Sequence, residues 1–131
     1  RSDATLNPGG VRIGTAEIYS VVDTLEEVNE SVAITQEWDG DNRIVLFVIM
    51  SGTNELDAAL KEKIKTALRN QASPRHVPAI IIPVPDLPRT RSGKLSELAV
   101  KAVVEGTRVR NAEALANPEA LDYFKDLKEL Q

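Results

Sequence analysis

The chain has 131 residues, a formal net charge of −4, no cysteine and a single histidine, His76. That length fits one domain with a modest core, while the cysteine and histidine counts exclude a disulfide framework, thiolate metal sites and a histidine-based metal centre. The acidic balance argues against nonspecific nucleic-acid binding, and the longest apolar run, Ile44 to Met50, is too short to span a membrane; the composition is compatible with a cytoplasmic protein.

In chain order, Ile18, Val21, Val22 and Leu25 recur at helical spacing and predict a first helix starting near Thr15. Val32, Ile34 and Trp38 alternate along a predicted strand that ends at the turn Asp39-Gly40-Asp41-Asn42. Arg43 to Met50 reads as a strand buried on both faces. Asn54 is the expected cap of a second helix, whose stripe is Leu56, Leu60, Ile64 and Leu68 and which Ser73-Pro74 terminates. Ala79 to Val84 is a third strand, with Pro83 suited to an edge or an irregular end. A third helix begins near Leu95 or Ser96, is lined by Leu98, Ala99, Ala102 and Val103, and stops at Gly106. After a polar connection, Asn117-Pro118-Glu119 predicts a last helix carrying Ala120, Phe124 and Leu127 on one face. The predicted class is α+β: a small central sheet of about three strands, plus an N-terminal hairpin, flanked by helices.

Leu87-Pro88-Arg89-Thr90-Arg91-Ser92-Gly93-Lys94 places three cations in six residues on a predicted loop. Pro88 stiffens the entry and Ser92-Gly93 allows a tight turn. By composition alone the segment is either a solvated basic turn or a site for phosphate, in which Lys94 would meet an anion presented by another surface. A Walker phosphate loop does not fit, since Pro88 and Leu95 stand where that motif needs a glycine and a hydroxyl.

The opening Arg1-Ser2-Asp3-Ala4-Thr5-Leu6-Asn7-Pro8-Gly9-Gly10-Val11-Arg12-Ile13-Gly14 has no initiator methionine and no signal-peptide pattern, as expected of a piece of a longer protein. Together with the Leu87–Lys94 segment it resembles the C-terminal domain of AMP-forming acyl-CoA synthetases. These belong to the adenylate-forming superfamily, with luciferases and peptide-synthetase adenylation domains. Two separated motifs in the right order are more specific than either alone, and the resemblance covers nearly the whole chain.

The resemblance implies a role for each matching residue. Lys94 falls on the family's lysine that reaches the acyl carboxylate and the α-phosphate during adenylation. A positioned ammonium there stabilises charge on phosphoryl oxygens and can be worth ~3 kcal/mol or more in the barrier. Asp3 matches the hinge between two domains, with residues 1–14 as hinge and hairpin. Arg1 and Arg12 match nucleotide-side arginines, Arg12 also ordering the loop before it. Gly10 matches the glycine that lets the pantetheine of CoA pass close to the backbone, although a plain hairpin turn uses the same residues. Arg69 aligns with an arginine that contacts the CoA nucleotide; taken alone, a cation in the last turn of a helix is a dipole partner or simply exposed. Arg75 and His76 flank the same surface, and Glu17 reads as a structural acid at a helix N-terminus.

As partners and cofactors the resemblance implies an N-terminal adenylation domain of the same chain, ATP, Mg2+, CoA and a small carboxylic acid, with no metal site in this domain and none of these ligands bound by it alone. By itself the domain is expected to be inactive. The extension over residues 107–131, through Arg110-Asn111-Ala112-Glu113-Ala114-Leu115-Ala116-Asn117-Pro118-Glu119, looks most like that of acetoacetyl-CoA synthetases, which points to acetoacetate as the acid. Two alternatives stand beside this reading: an adenylation lid serving a carrier-protein thiol, and a noncatalytic nucleotide- or CoA-binding module.

Overall fold

The computed structural model describes residues 5–6, 12–52, 55–107, 112–125, 127 and 130. Strand β1 (Thr5–Leu6) pairs antiparallel with β2 (Ile13–Gly14), forming the expected N-terminal hairpin. Helix α1 (Thr15–Val22) follows directly and presents Ile18, Tyr19, Val21 and Val22 to the core. Strands β3 (Val28–Trp38) and β4 (Asp41–Met50) are antiparallel neighbours, in register from Glu30↔Ile49 to Trp38↔Asp41. The turn joining them places Asp39 and Gly40 at positive φ, 53° and 79°, as a tight hairpin connection between right-twisted strands requires. Helix α2 (Ala58–Gln71) then leads to β5 (Ile80–Pro83), which lies parallel to β4 in the register Val45↔Ile80 to Val48↔Pro83. The sheet order is β3-β4-β5, with β4 in the centre.

Because β4 is central, both of its faces must be covered, and its unbroken apolar run serves that need. Ile44, Leu46 and Val48 pack with α1 and α2 through Ile18, Val22, Leu60, Ile64 and Leu68. Val45 and Phe47 face the opposite layer, where helix α3 (Glu97–Glu105) and the C-terminal segment supply Val100 and Phe124. Phe47 and Phe124 meet edge to face, with centroids 4.8 Å apart at 84°, a favoured aromatic geometry.

Four local expectations are corrected. Helix α2 starts later than the apolar stripe suggested: Asp57, not Asn54, caps it by accepting the Leu60 N–H at 2.8 Å, and Leu56 packs on the core from just ahead of the helix. Asn54 lies outside the described residues. Strand β3 buries both faces, Val32 and Ile34 on one and Ala33 on the other, so the apolar alternation covered only half of its burial. Trp38 stays 42% exposed at the strand end, with the Arg43 guanidinium 4.0 Å over its ring. On α3 the buried positions are Ala99 and Val100, while Leu98 is 82% exposed. It begins at Glu97, close to the expected start, with Ser96 as its cap, and Gly106, at φ 74°, ends it as expected. The last helix is a 3-10 segment, Pro118–Phe124, and the Asn117 side chain does not cap it.

Phe47→Ala is expected to lower the unfolding free energy of the chain by roughly 3–5 kcal/mol with an unchanged urea m-value. Equilibrium urea denaturation measures both, and a loss below about 1 kcal/mol would show that the sheet and the C-terminal segment do not meet at this ring.

Candidate functional site

The Leu87–Lys94 segment folds back on itself as a short hairpin. The Gly93 N–H donates to Thr90 O at 2.9 Å, the Thr90 N–H to Lys94 O at 2.8 Å and the Ser96 N–H to Pro88 O at 2.9 Å, with Arg89 and Leu95 paired across it. Gly93 sits at φ 90°, a left-handed conformation that a side chain disfavours, so the turn depends on glycine here. The Thr90 hydroxyl completes the turn by accepting the Lys94 N–H at 3.2 Å and pairing with the Ser92 hydroxyl at 2.8 Å. Leu87, fully buried, and Leu95, partly so, anchor the hairpin in the α3 layer of the core.

Its three cations have separate fates. The Arg89 guanidinium hydrogen-bonds Glu30 on β3, which raises its pKa further above the ordinary value. The Arg91 guanidinium donates to the Glu113 carbonyl at 3.1 Å. Lys94 is exposed, and its ammonium has no hydrogen-bond or ion-pair partner among the described residues. The hairpin therefore offers one uncommitted positive charge, just ahead of the Ser96-capped start of α3.

Those remaining predicted residues that the structure describes do not gather around Lys94. Arg69 is exposed in the last turn of α2, on the opposite side of the sheet from the hairpin's anchor. Arg12 is exposed immediately before β2, whose Ile13 belongs to the α1/α2 core. Arg1, Asp3 and Gly10 lie outside the described residues. Glu17 stands in the first turn of α1 and bridges His76 at 2.8 Å, while the His76 ring also meets the Ser73 hydroxyl at 2.6 Å. His76 is thus a strut between α1 and the turn after α2, a role its position in the sequence does not reveal. Arg75 beside it is exposed.

Several side chains that support the hairpin carry no sequence signal of doing so. Glu30 holds Arg89 from β3. Tyr19 on α1 donates its hydroxyl to Glu97 at 2.6 Å and accepts the Ala33 N–H at 3.0 Å, tying α1, the outer edge of β3 and the first turn of α3 together. Asn117 contacts the hairpin's base through three hydrogen bonds. No group of three or more His, Cys, Asp or Glu side chains among the described residues is placed to hold a metal ion, and no described helix is long and apolar enough to cross a membrane.

Residues 17–94 match the family described as the AMP-binding enzyme C-terminal domain. The whole chain is 61% identical to an acetoacetyl-coenzyme A synthetase of Rhizobium meliloti (strain 1021) and 46% identical to an acetoacetyl-CoA synthetase of Xenopus tropicalis. It spans about 20% of the length of each of these relatives. Among solved structures, acetoacetyl-CoA synthetase from Streptomyces lividans superposes with a TM-score of 0.83 at 37% identity, over 94% of this chain and 19% of that one. A Brucella canis acyl-CoA synthetase superposes with a TM-score of 0.66 at 28% identity, over 72% of this chain and 18% of that one. With the family match running from the first helix to the exposed lysine of the hairpin, the chain belongs to the C-terminal domain family of AMP-binding enzymes.

Proposed function

We propose that this chain is the C-terminal lid of a larger AMP-forming ligase that turns acetoacetate, ATP and CoA into acetoacetyl-CoA, AMP and pyrophosphate in the cytoplasm. The observation that carries this reading is the partition of the hairpin cations. Two are committed to internal contacts, and Lys94, with no partner among the described residues, can meet an anion on a facing surface. Identity above 40% over the full chain to named acetoacetyl-CoA synthetases supports the choice of acid.

In the first half-reaction an acetoacetate oxygen attacks the α-phosphorus of ATP, forming the acyl-adenylate as pyrophosphate leaves. Lys94, lowered onto the site built by the N-terminal domain, stabilises the charge growing on the phosphoryl oxygens. Mg2+ accompanies the nucleotide. In the second half-reaction the CoA thiol attacks the acyl carbon and AMP leaves. For that step the domain turns about Asp3, and the surface of Gly10 and Arg69 takes the place of the hairpin. Arg1 and Arg12 stay on the nucleotide side. Support for such an exchange comes from the sheet itself, which puts Arg69 and the hairpin in different layers. The 131 residues alone lack the acid pocket and are inactive.

The deciding experiment separates the half-reactions of the full-length ligase by single-turnover assay. Lys94→Ala should abolish acyl-adenylate formation while a supplied acyl-adenylate still reacts with CoA at a near-normal rate, and Gly10→Leu should do the reverse. As a control, the Lys94→Ala unfolding free energy should stay within about 0.5 kcal/mol of the parent, since the exposed ammonium has no partner among the described residues. Equal slowing of both halves by Lys94→Ala would reduce the lysine to a docking or folding residue.

Arg69→Ala should raise the KM for CoA roughly 5- to 30-fold, the equivalent of about 1–2 kcal/mol for one charge-assisted phosphate contact, and leave the KM for ATP nearly unchanged. Steady-state kinetics with each substrate varied in turn test it. Parallel changes in both constants would take Arg69 off the CoA surface.

A further inference from the structure

The family match ends at Lys94, yet the residues beyond it return to that lysine. Residues 114–116 run antiparallel to residues 89–91: the Ala116 N–H donates to Arg89 O at 2.8 Å, the Arg91 N–H to Ala114 O at 3.2 Å, and Thr90 pairs with Leu115. With Leu95 on its other side, the Arg89–Arg91 segment becomes the middle strand of a miniature sheet. Leu115 is buried with Ala99 and Leu121, so the strap is pinned to α3.

Asn117 closes the arrangement. Its Oδ1 accepts the Arg89 N–H at 2.7 Å, and its Nδ2 donates to Asp86 Oδ2 at 2.9 Å and to Leu87 O at 2.8 Å. The amide orientation follows from its partners: an N–H can only be met by the side-chain oxygen, and a carbonyl and a carboxylate only by the nitrogen. Both amide donors and the acceptor are therefore used, on three residues that lead directly into the hairpin. This explains why Asn117 leaves the 3-10 segment after it uncapped. The main-chain N–H groups of residues 89, 90 and 91 are satisfied in turn by Asn117 Oδ1, Lys94 O and Ala114 O.

We infer that residues 114–117 are a strap that sets the position of the Lys94 hairpin, and that Asn117 is a positioning residue for the lysine-dependent half-reaction. The inference rests on the proposed role of Lys94. A flexible lysine on a glycine turn can reach many points; its ammonium helps a transition state only when the turn's base is held still. Misplacement by about 1 Å costs on the order of 100-fold in rate. Thioester formation, which does not use Lys94, has no such dependence on the strap.

The test uses the full-length ligase and the two single-turnover half-reactions, with Lys94→Ala run alongside. Asn117→Ala should slow adenylation about 10- to 100-fold and leave thioester formation from supplied acyl-adenylate within about twofold of the parent, a split that general loss of folding would not produce. Asn117→Asp keeps the acceptor for the Arg89 N–H but sets a carboxylate against both Asp86 and the Leu87 carbonyl, and should slow adenylation at least as much. Combining Asn117→Asp with Asp86→Asn restores a donor between positions 86 and 117, though not to the Leu87 carbonyl, and should recover adenylation several-fold over Asn117→Asp alone. This isosteric comparison decides the question even where Asn117→Ala fails to fold. If Lys94→Ala abolishes adenylation while Asn117→Ala matches the parent, or slows both halves alike, or if the exchange recovers nothing, the strap is not a positioning device and the role of Lys94 stands. If Lys94→Ala itself adenylates normally, the role of Lys94 fails and this inference with it.

Discussion

The constraint from which the rest of this structure follows is the burial of β4 on both faces. A central strand with an unbroken apolar run cannot leave either side to water, so one layer must come from α1 and α2 and the other from α3 and the C-terminal segment. The consequence reaches beyond stability. Arg69 and the Arg12 segment belong to one layer and the Lys94 hairpin to the other. A domain arranged this way can present two chemically different surfaces without remodelling its interior, which a rigid rotation requires and a densely packed core favours.

Within the second layer, polar contacts do what a small core cannot. The hairpin is short and carries a left-handed glycine, so its own turn bonds would leave it free to pivot. It is fixed from three directions instead: by Glu30 from the sheet, by Leu87 and Leu95 from the core, and by the strap and Asn117 from the C-terminal side. Exposed ion pairs contribute little, but Arg89 and Glu30 are each about three-quarters covered and joined by a direct hydrogen bond. With Arg89 and Arg91 committed to such contacts, Lys94 is the one cation of the hairpin without a partner among the described residues.

The two layers are also joined at the edge. Among the described residues, the outer main-chain groups of strand β3 have no strand partner, and such an edge invites pairing with another chain. The Tyr19 hydroxyl meets one of these N–H groups, at Ala33, while donating to Glu97 at the start of α3. A helix that follows the N-terminal hairpin is thereby linked through one hydroxyl to the helix that follows Lys94. His76 does similar work on the first layer, holding Glu17 and Ser73.

Local chemistry sufficed to read the α+β class, the three strands, the starts of α1 and α3, the Gly106 stop of α3 and the Leu87–Lys94 turn, because periodicity and glycine are properties of neighbouring residues. The motif at that turn, paired with the N-terminal segment, was enough to indicate the family. What the tertiary structure alone decided are choices among partners distant in sequence. Asn117 precedes a proline and reads as a cap, yet its amide goes to residues 28 to 31 positions earlier, because unsatisfied main-chain groups at the hairpin's base compete for it and win. Arg89, Arg91 and Lys94 are equivalent as charges in a loop; a glutamate 59 residues from Arg89 and a carbonyl 22 residues from Arg91 distinguish them. Leu98 and Val100 both suit a helix, and only the direction of the neighbouring layer sends one to water and the other to the core. Sequence specifies which groups need partners; the fold determines which of the many compatible partners lies within reach.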